Sequence, residues 1–221
     1  MSEKIVIFDL DGTLLNTLSD LHDSTNYALR SVGLPERSID EVRRFVGNGI
    51  RKLIERAVPS DCAPETLERC FECFKTHYSE HCMDTTAPYP GIAELLCALK
   101  GEGCALGVVS NKADAPAKAL VAHYFPNVFD SVVGERENVR KKPAPDAVLE
   151  TLRSLGGDIE SCVYVGDSDV DFHTAQNAGC RVVLVSWGFK TREFLDGFGA
   201  AVVDDARQLL ELINGGECNE N

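Results

Sequence analysis

Short apolar runs rich in valine and isoleucine recur along the chain, and helical patterns separate most of them. The runs end in Gly, Asp, Ser or Asn, and this alternation is typical of βα units in a parallel sheet. The pattern predicts strands at residues 5–8, 104–109, 131–133, 162–165, 181–185 and 200–203. We therefore expect an α/β fold with a Rossmann-like, doubly wound parallel sheet.

The stretch over residues 16–87 breaks this alternation because it shows only helical patterns. Apolar residues recur there at helical spacing, and turn-forming sequences separate the apolar stripes. Residues 16–87 are therefore predicted to form a small helical domain, inserted into an α/β core made of residues 1–15 and 88–221.

The charge of the chain argues against some classes of partner. Lysine and arginine number 22 against 35 aspartate and glutamate residues, a net charge of −13. Neither nucleic acid nor an anionic membrane surface is therefore expected to bind. No apolar stretch approaches a membrane span or the core of a signal peptide. An anionic substrate would also be repelled, so a phosphate site would need local positive charge from a metal ion and from Lys or Arg.

Cysteine content points to a reducing compartment. The nine cysteines are expected to be thiols in the cytoplasm, because no secretion signal accompanies them. Four potential ligands, Cys70, Cys73, His77 and His81, are closely spaced on a helix predicted over 65–81. They would line one helix rather than surround an ion, so small buried thiols on a polar helix edge are favoured over a metal site.

Acidic side chains follow two of the predicted strands. Asp9 and Asp11 come after the first strand, and Asp167 comes after the fourth. Ligands of a doubly wound sheet bind beyond the carboxyl ends of its strands, where side chains two residues apart face one volume. Clustered carboxylates need a cation, and Mg²⁺ prefers a few carboxylates with water and phosphate oxygens. We expect a Mg²⁺ site; the alternative is that each Asp only caps a helix.

Two other positions suit a phosphate group. Ser110 follows the second strand and could donate its hydroxyl to a phosphate oxygen, although in isolation a helix cap is the commoner role for such a serine. Lys142 precedes a rigid two-proline turn that opens a helix. A lysine fixed there could offset negative charge on a phosphoryl group in transfer, whereas the alternative is a solvated basic loop.

Taken together, these residues resemble a known family. Residues 8–14 (FDLDGTL), 109–112 (VSNK), 142–145 (KPAP) and 166–171 (GDSDVD) are similar to the four ordered motifs of the haloacid dehalogenase superfamily. The four motifs span nearly the whole chain. The acid at position 11 resembles that of the phosphatases of the superfamily rather than the dehalogenases, because an ester leaving group needs a proton and a halide does not.

A finer resemblance is to the phosphoglycolate phosphatases. It rests on residues 45–50 (FVGNGI) in the insert and residues 88–91 (PYPG) at its exit. The insert would then be a cap domain that selects the substrate. The resemblance implies a Mg²⁺-dependent phosphatase that hydrolyses a small phosphorylated metabolite, with 2-phosphoglycolate as the first candidate.

The resemblance also implies roles for individual residues. Asp9 would be the nucleophile that attacks phosphorus. Asp11 would protonate the leaving oxygen and later deprotonate the attacking water, while its backbone carbonyl binds the metal. Asp167 would be the other direct metal ligand, and Asp171 would orient metal-bound water or Lys142.

Substrate contacts are expected from both domains. Ser110 and the amide of Asn111 would hold the phosphate, and Arg51 with helix amides would suit a carboxylate, unless Arg51 is simply a solvated helix residue. The expected substrate-binding residues are Thr13, Ser110, Asn111 and Lys142 in the core, and Gly47, Asn48 and Arg51 in the cap.

Other functions remain open from the sequence. A sugar-phosphate mutase or an inorganic pyrophosphatase could use the same scaffold, and the sequence does not report the lifetime of a phosphorylated aspartate. A non-catalytic phospho-acceptor module resembling signalling receivers is less favoured, because receivers are shorter and lack an insert. The sequence leaves the oligomeric state open between monomer and dimer.

Overall fold

A parallel sheet forms the centre of the larger of two units in the computed structural model, which describes residues 4–215. The core unit comprises the residues up to Leu15 and from Pro88 onward, and the helical unit comprises Asn16–Ala87. The assignment of catalysis to the core unit and of substrate selection to the helical unit stays a prediction. Among the described residues, no helix is both long and apolar enough to cross a membrane.

The regular elements alternate along most of the core unit. The strands are β1 (Ile5–Phe8), β2 (Leu15–Asn16), β3 (Ala87–Pro88), β4 (Ala105–Ala113), β5 (Ser131–Glu135), β6 (Cys162–Gly166), β7 (Arg181–Val185) and β8 (Ala201–Val203). The helices are α1 (Leu18–Ser31), α2 (Ile39–Phe45), α3 (Ile50–Ala57), α4 (Pro64–His81), α5 (Ile92–Gly101), α6 (Asp114–Tyr124), α7 (Asp146–Leu155), α8 (Asp169–Ala178), α9 (Arg192–Asp196) and α10 (Ala206–Ile213). A short 3₁₀ helix, Ile159–Ser161, precedes β6.

The six-stranded sheet has the order β5-β4-β1-β6-β7-β8, and all its paired strands are parallel. Phe8 of β1 pairs with Val108 of β4 on one side and with Val165 of β6 on the other. The carboxyl-terminal ends of the three strands β4, β1 and β6 therefore lie side by side. The expected doubly wound α/β fold is confirmed.

Burial explains why these short runs become central strands. All four residues of β1 and all five of β6 are buried, and parallel strands covered on both faces need apolar side chains throughout. The helix α7 contributes one apolar stripe, including Val148 and Leu152, to the core beneath β1 and β4. Its hydrophobic face, rather than helix propensity alone, holds it on the sheet.

One strand is longer than its apolar run predicts. The strand β4 continues to Ala113, which pairs with Glu135 of β5 after an irregularity in register. Ser110, Asn111 and Lys112 therefore belong to the strand instead of following it. Polar side chains can occupy this end because it lies at the sheet edge where a ligand, not an apolar helix, would cover it.

The helical unit contains α1, α2, α3 and α4, in agreement with its helical patterns. Leu21 and Leu29 of α1 are buried, as are Phe74 and Tyr78 of α4, and these two helices pack against each other. The strands β2 and β3 pair at the two points where the chain passes between units. Their two-residue lengths explain why no strand pattern predicted them.

A buried carboxylate ties the start of the helical unit to its end. Asp20 in the first turn of α1 is only 3% exposed. Its two oxygens accept hydrogen bonds from the backbone N–H groups and hydroxyls of Thr85 and Thr86. A buried carboxyl group is tolerated when its hydrogen-bonding capacity is filled in this way.

We expect Asp20→Ala to lower the free energy of unfolding by about 3 kcal/mol, because it removes the acceptor of four hydrogen bonds from Thr85 and Thr86, of which Thr86 is buried. Urea denaturation measures the change. Asp23→Ala, which removes a largely exposed carboxylate from the same helix, is the control and should change stability by less than about 0.5 kcal/mol. Equal effects of the two substitutions would contradict this role for Asp20.

Candidate active site

Three acids meet at the ends of neighbouring strands. Asp9 directly follows β1, Asp167 directly follows β6, and Asp171 lies in the first turn of α8. All three are buried, and one carboxylate oxygen of each lies within 4.8 Å of the others. The parallel order of β1 and β6 brings together residues that are far apart in sequence.

A buried lysine is shared by two of these acids. Lys142 Nζ lies 2.8 Å from Asp9 Oδ1 and 2.7 Å from Asp171 Oδ1, and it donates a hydrogen bond to the Tyr164 hydroxyl at 3.1 Å. Burial disfavours the charged lysine, but Asp171 and Asp9 outweigh it and raise the Lys142 pKa well above its usual value. Lys142 is therefore a fixed cation and not a solvated loop residue.

The acids nevertheless carry more negative charge than one lysine offsets. Burial raises the pKa of Asp9 to about 7, although Lys142 opposes the shift. Burial, with the neighbouring Asp171 and Asp9, also raises the Asp167 pKa well above its usual value. A divalent cation among these carboxylates would favour their ionised forms. The donor set, all carboxylate oxygens, fits a hard cation such as Mg²⁺.

Asp167 is positioned by close backbone approach. Its Oδ2 accepts a hydrogen bond from the Phe189 N–H at 2.7 Å. A Cβ atom on Gly12 would lie 2.5 Å from the same oxygen, and Gly12 has a φ of +89°. Only glycine both adopts this conformation readily and leaves room for the carboxylate. The glycine after the two N-terminal acids therefore shapes the space around Asp167.

Asp171 is held on both of its oxygens. Oδ1 accepts hydrogen bonds from Lys142 and, at 3.2 Å, from Tyr164. Oδ2 accepts from the Ser168 hydroxyl at 2.6 Å and from the Asp167 N–H at 3.2 Å. These protein contacts favour a supporting role for Asp171 over direct metal ligation, as the sequence predicted. That role stays a prediction.

Asp11 lies apart from the three-carboxylate group. Its two oxygens are 3.2 and 3.5 Å from Lys112 Nζ, and the Lys112 side chain is 5% exposed. The carboxylates close enough to share a metal ion are thus those of Asp9, Asp167 and Asp171. The spacing of Asp9 and Asp11 in the sequence had predicted the Asp11 carboxylate in place of that of Asp171. The attraction of a buried ammonium group explains where the Asp11 carboxylate lies. Metal binding by the Asp11 backbone carbonyl stays a prediction.

The predicted phosphate ligands of the core are also buried near this edge. The Ser110 hydroxyl accepts a hydrogen bond from the Lys112 N–H at 3.1 Å, and Asn111 Nδ2 donates to the Lys142 carbonyl at 3.2 Å. The Thr13 hydroxyl is buried and has no hydrogen-bond partner among residues 4–215. A buried hydroxyl without a partner is costly, which is consistent with a site completed by a polar ligand.

The remaining predicted substrate residues belong to the helical unit. Gly47 and Asn48 lie between α2 and α3, and Asn48 Oδ1 accepts a hydrogen bond from Arg56 at 2.8 Å. Arg51 of α3 pairs with Glu55 at 3.2 Å and with Glu68. These hydrogen bonds and ion pairs neither support nor exclude a substrate role for Gly47, Asn48 or Arg51. The Arg51 side chain is 38% exposed in these ion pairs, which a solvated helix residue also makes.

The cysteine and histidine cluster lies on α4, as its spacing predicted. His77 stacks between Tyr27 and His81, with ring centroids 4.0 and 4.2 Å away, and Ser24 bonds its Nδ1 at 3.0 Å. Within residues 4–215, Asp9, Asp167 and Asp171 form the one group of His, Cys, Asp and Glu atoms close enough to hold a metal ion. Of the four residues, Cys70 is buried, and Cys73, His77 and His81 are partly exposed.

Several neighbours of the site have no motif in the sequence. Tyr164 lies inside β6, where a single tyrosine in an apolar run predicts only core packing. Trp187 donates from Nε1 to the Thr13 carbonyl at 3.0 Å, and Phe189 supplies the N–H that binds Asp167. Both follow β7, so the general rule that ligands lie past the strand ends is the signal that could have found them.

Comparisons with known proteins agree with this geometry. Residues 6–185 match the model of the family described as haloacid dehalogenase-like hydrolase. A phosphoglycolate phosphatase of Mesorhizobium japonicum is 36% identical, covering 95% of this chain and 98% of its own. A crystal structure from Lactobacillus delbrueckii subsp. bulgaricus, named as a candidate phosphoglycolate phosphatase, is 35% identical with a TM-score of 0.91, covering 96% and 99% of the two chains.

A further solved structure is that of CbbY from Rhodobacter sphaeroides in complex with phosphate. It is 28% identical, with a TM-score of 0.72, and the match covers 98% of this chain and 97% of that one. The buried acids and lysine at the strand ends, the doubly wound sheet and these matches lead to one conclusion. The chain belongs to the haloacid dehalogenase-like hydrolase family, and it is an enzyme of the phosphoric monoester hydrolase class.

Proposed function

We propose that this enzyme hydrolyses a small phosphomonoester, with 2-phosphoglycolate as the first candidate, through a phosphorylated Asp9. The observation that carries the proposal is the contact of Asp9 with Lys142 at the end of β1, 2.8 Å apart and buried. A buried carboxylate beside a fixed cation suits attack on a phosphoryl group, whose negative charge the cation also offsets. Relatives named phosphoglycolate phosphatase support the choice of substrate.

The reaction takes two displacements at phosphorus. In the first, an Asp9 oxygen attacks phosphorus, the bond from phosphorus to the ester oxygen breaks, and Asp11 gives its proton to the departing alkoxide. In the second, the Asp11 carboxylate takes a proton from water, the water oxygen attacks phosphorus, and the bond to Asp9 breaks. Inorganic phosphate and the free alcohol are the products, and Asp11 ends protonated as it began.

The metal site completes the charge balance. Asp9, Asp167 and the backbone carbonyl of Asp11 would hold Mg²⁺, and the bound ion would neutralise charge on the phosphoryl oxygens. Asp171 keeps Lys142 in place beside Asp9. Burial of the site limits the water around these groups, which strengthens their interactions.

Binding of the phosphoryl group falls to residues of the core unit. Ser110 and Thr13 offer hydroxyls, Asn111 offers its backbone amide, and Lys142 offers its charge. Gly47, Asn48 and Arg51 of the helical unit are our candidates for contacts with the rest of the substrate. The eight cysteines described, among residues 4–215, are free thiols, the usual state of cysteine in the cytoplasm, where we propose that the enzyme acts.

Asp9→Asn should lower kcat by more than about a thousandfold, because the amide is a poor nucleophile. Release of phosphate from 2-phosphoglycolate in the presence of Mg²⁺ measures the loss. Asp196→Asn, which changes an exposed carboxylate of α9, should leave kcat unchanged. Borohydride trapping during turnover, read by mass spectrometry, should modify Asp9; modification of a different residue would contradict the mechanism.

Asp167→Asn should weaken Mg²⁺ binding more than Asp171→Asn does, because we assign a direct ligand to Asp167 and a supporting role to Asp171. Loss of the supporting group should cost about ten- to hundredfold in metal affinity. Isothermal titration of the two variants with Mg²⁺, without substrate, compares them. The reverse ranking would make Asp171 the direct ligand.

The stability of the metal-free enzyme should depend on pH. The pKa of Asp9 is raised to about 7 and that of Asp167 is also raised, so the folded state holds protons that the unfolded state releases above about pH 4. Stability should therefore fall as the pH rises from about 4 to 7. Mg²⁺ binds the ionised carboxylates and should reverse this loss.

Thermal unfolding with and without Mg²⁺ checks this expectation. The rise in Tm on adding Mg²⁺ should be larger at about pH 8 than at about pH 5. The Asp167→Asn variant, which lacks one of the titrating carboxyls, should show a smaller difference between the two pH values. An equal rise at both pH values in the unmodified enzyme would contradict the account.

A further inference from the structure

The mechanism leaves one buried cation of the core unit without a role. Lys112 is 8% exposed, and lysine is rarely buried this far without a specific interaction. Its Nζ lies 3.2 Å from Asp11 Oδ1 and 3.5 Å from Oδ2. The ammonium group therefore stands beside the carboxyl group that we assign to protonate the leaving oxygen.

The position of Lys112 is fixed by its strand. It belongs to the last part of β4, where Gly134 of β5 approaches so closely that an added Cβ atom would lie 2.7 Å from the Lys112 carbonyl oxygen. Its N–H donates to the Ser110 hydroxyl at 3.1 Å. Glycine at position 134 lets the backbone carrying Lys112 pass against β5. A residue whose backbone is fixed in this way can contribute to selectivity, because little backbone freedom is lost when a ligand binds.

The charge of the other buried lysine, Lys142, already has a role in the proposed reaction. Lys142 contacts both Asp9 and Asp171, and the proposed reaction uses it at the transferred phosphoryl group. The chain has a net charge of −13, so a substrate with a second anionic group needs a further cation to offset repulsion. Lys112 is buried and contacts Asp11, so it lies on the leaving-group side of Asp9 if Asp11 protonates the leaving oxygen.

The chemistry of the candidate substrate places its second charge near this cation. In 2-phosphoglycolate the carboxylate is separated from the ester oxygen by a single CH₂ group. If Asp11 delivers its proton to the ester oxygen, a cation in contact with Asp11 lies within reach of that carboxylate. A longer substrate would place its far end elsewhere, so this arrangement favours a carboxylate close to the phosphate.

The geometry points to Lys112 as a specificity-determining residue that binds the carboxylate of the leaving group, and so selects short 2-phosphocarboxylates from the core unit itself. This inference rests on the proposed function and adds to it the residue that recognises the leaving group. It differs from a selection made by Arg51, which is held by Glu55 and Glu68. Lys112 would exchange its contact with Asp11 for a contact shared between Asp11 and the substrate.

The experiment compares two substrates that differ only in the carboxylate, 2-phosphoglycolate and ethyl phosphate. kcat/KM is measured with Mg²⁺ for the unmodified enzyme and for Lys112→Met, Lys112→Arg and Arg51→Ala. Lys118→Met, which changes an exposed lysine of α6, is the matched control. Turnover of ethyl phosphate also reports whether each variant is folded.

Lys112→Met should lose about ten- to hundredfold in kcat/KM on 2-phosphoglycolate, because a charge-assisted contact is lost, and less than about threefold on ethyl phosphate. Most of the loss on 2-phosphoglycolate should appear in KM, since the carboxylate is bound before and during the reaction. Lys112→Arg should retain part of the preference for 2-phosphoglycolate because it keeps the charge. Lys118→Met should match the unmodified enzyme on both substrates.

Equal losses of Lys112→Met on the two substrates would overturn the inference and leave Lys112 acting only through Asp11. No loss on 2-phosphoglycolate would overturn it as well, and a selective loss in Arg51→Ala alone would transfer the role to Arg51. In each of these cases the unmodified enzyme still hydrolyses 2-phosphoglycolate, so the proposed function stands. An unmodified enzyme that fails to hydrolyse 2-phosphoglycolate would overturn the substrate assignment and the Lys112 inference together.

Discussion

The ion pairs of Lys142 with Asp9 and Asp171 are the contacts on which the rest of the site depends. They bury one positive and two negative charges where solvation is poor, and Asp167 adds a third carboxylate nearby. Buried charges are tolerated only when each finds a partner in good geometry. The parallel order of β4, β1 and β6 supplies that geometry, because it places the ends of three strands side by side. Burial, with the neighbouring carboxylates, raises the pKa values of Asp9 and Asp167, and a bound cation would offset the remaining negative charge.

Much of this arrangement could be predicted from the sequence. The strands β1 and β7 have the bounds that their apolar runs predict, because a central parallel strand must be apolar on both faces. The rule that ligands bind past the strand ends then drew attention to Asp9, Asp11 and Asp167. The position of Lys142 before two prolines also predicted a fixed cation, although the sequence did not show which residues would contact it. The comparisons exclude the non-catalytic alternative, since the chain belongs to a family of hydrolases.

Contacts between distant residues were beyond the sequence alone. Nothing in the pattern shows that Lys112 meets Asp11, because Lys112 lies near the end of β4 whereas Asp11 follows β1, and only the pairing of β4 with β1 brings them together. The extension of β4 past Val109 depends on pairing with β5, which local apolarity does not report. Tyr164 looks like a core residue until its hydroxyl is seen against Lys142 and Asp171. Such features depend on tertiary packing, which overrides local propensity.

The two carboxylates after β1 divide the chemistry between them in this account. Asp9, beside Lys142, forms and breaks the bond to phosphorus, and Asp11, beside Lys112, moves the protons. Phosphorus is attacked twice in this mechanism, first by Asp9 and then by water. The stereochemical course of hydrolysis tests it most directly, with a substrate whose phosphoryl group is made chiral by oxygen isotopes and sulfur. Two in-line displacements predict net retention of configuration at phosphorus, and net inversion would contradict the phosphorylated Asp9.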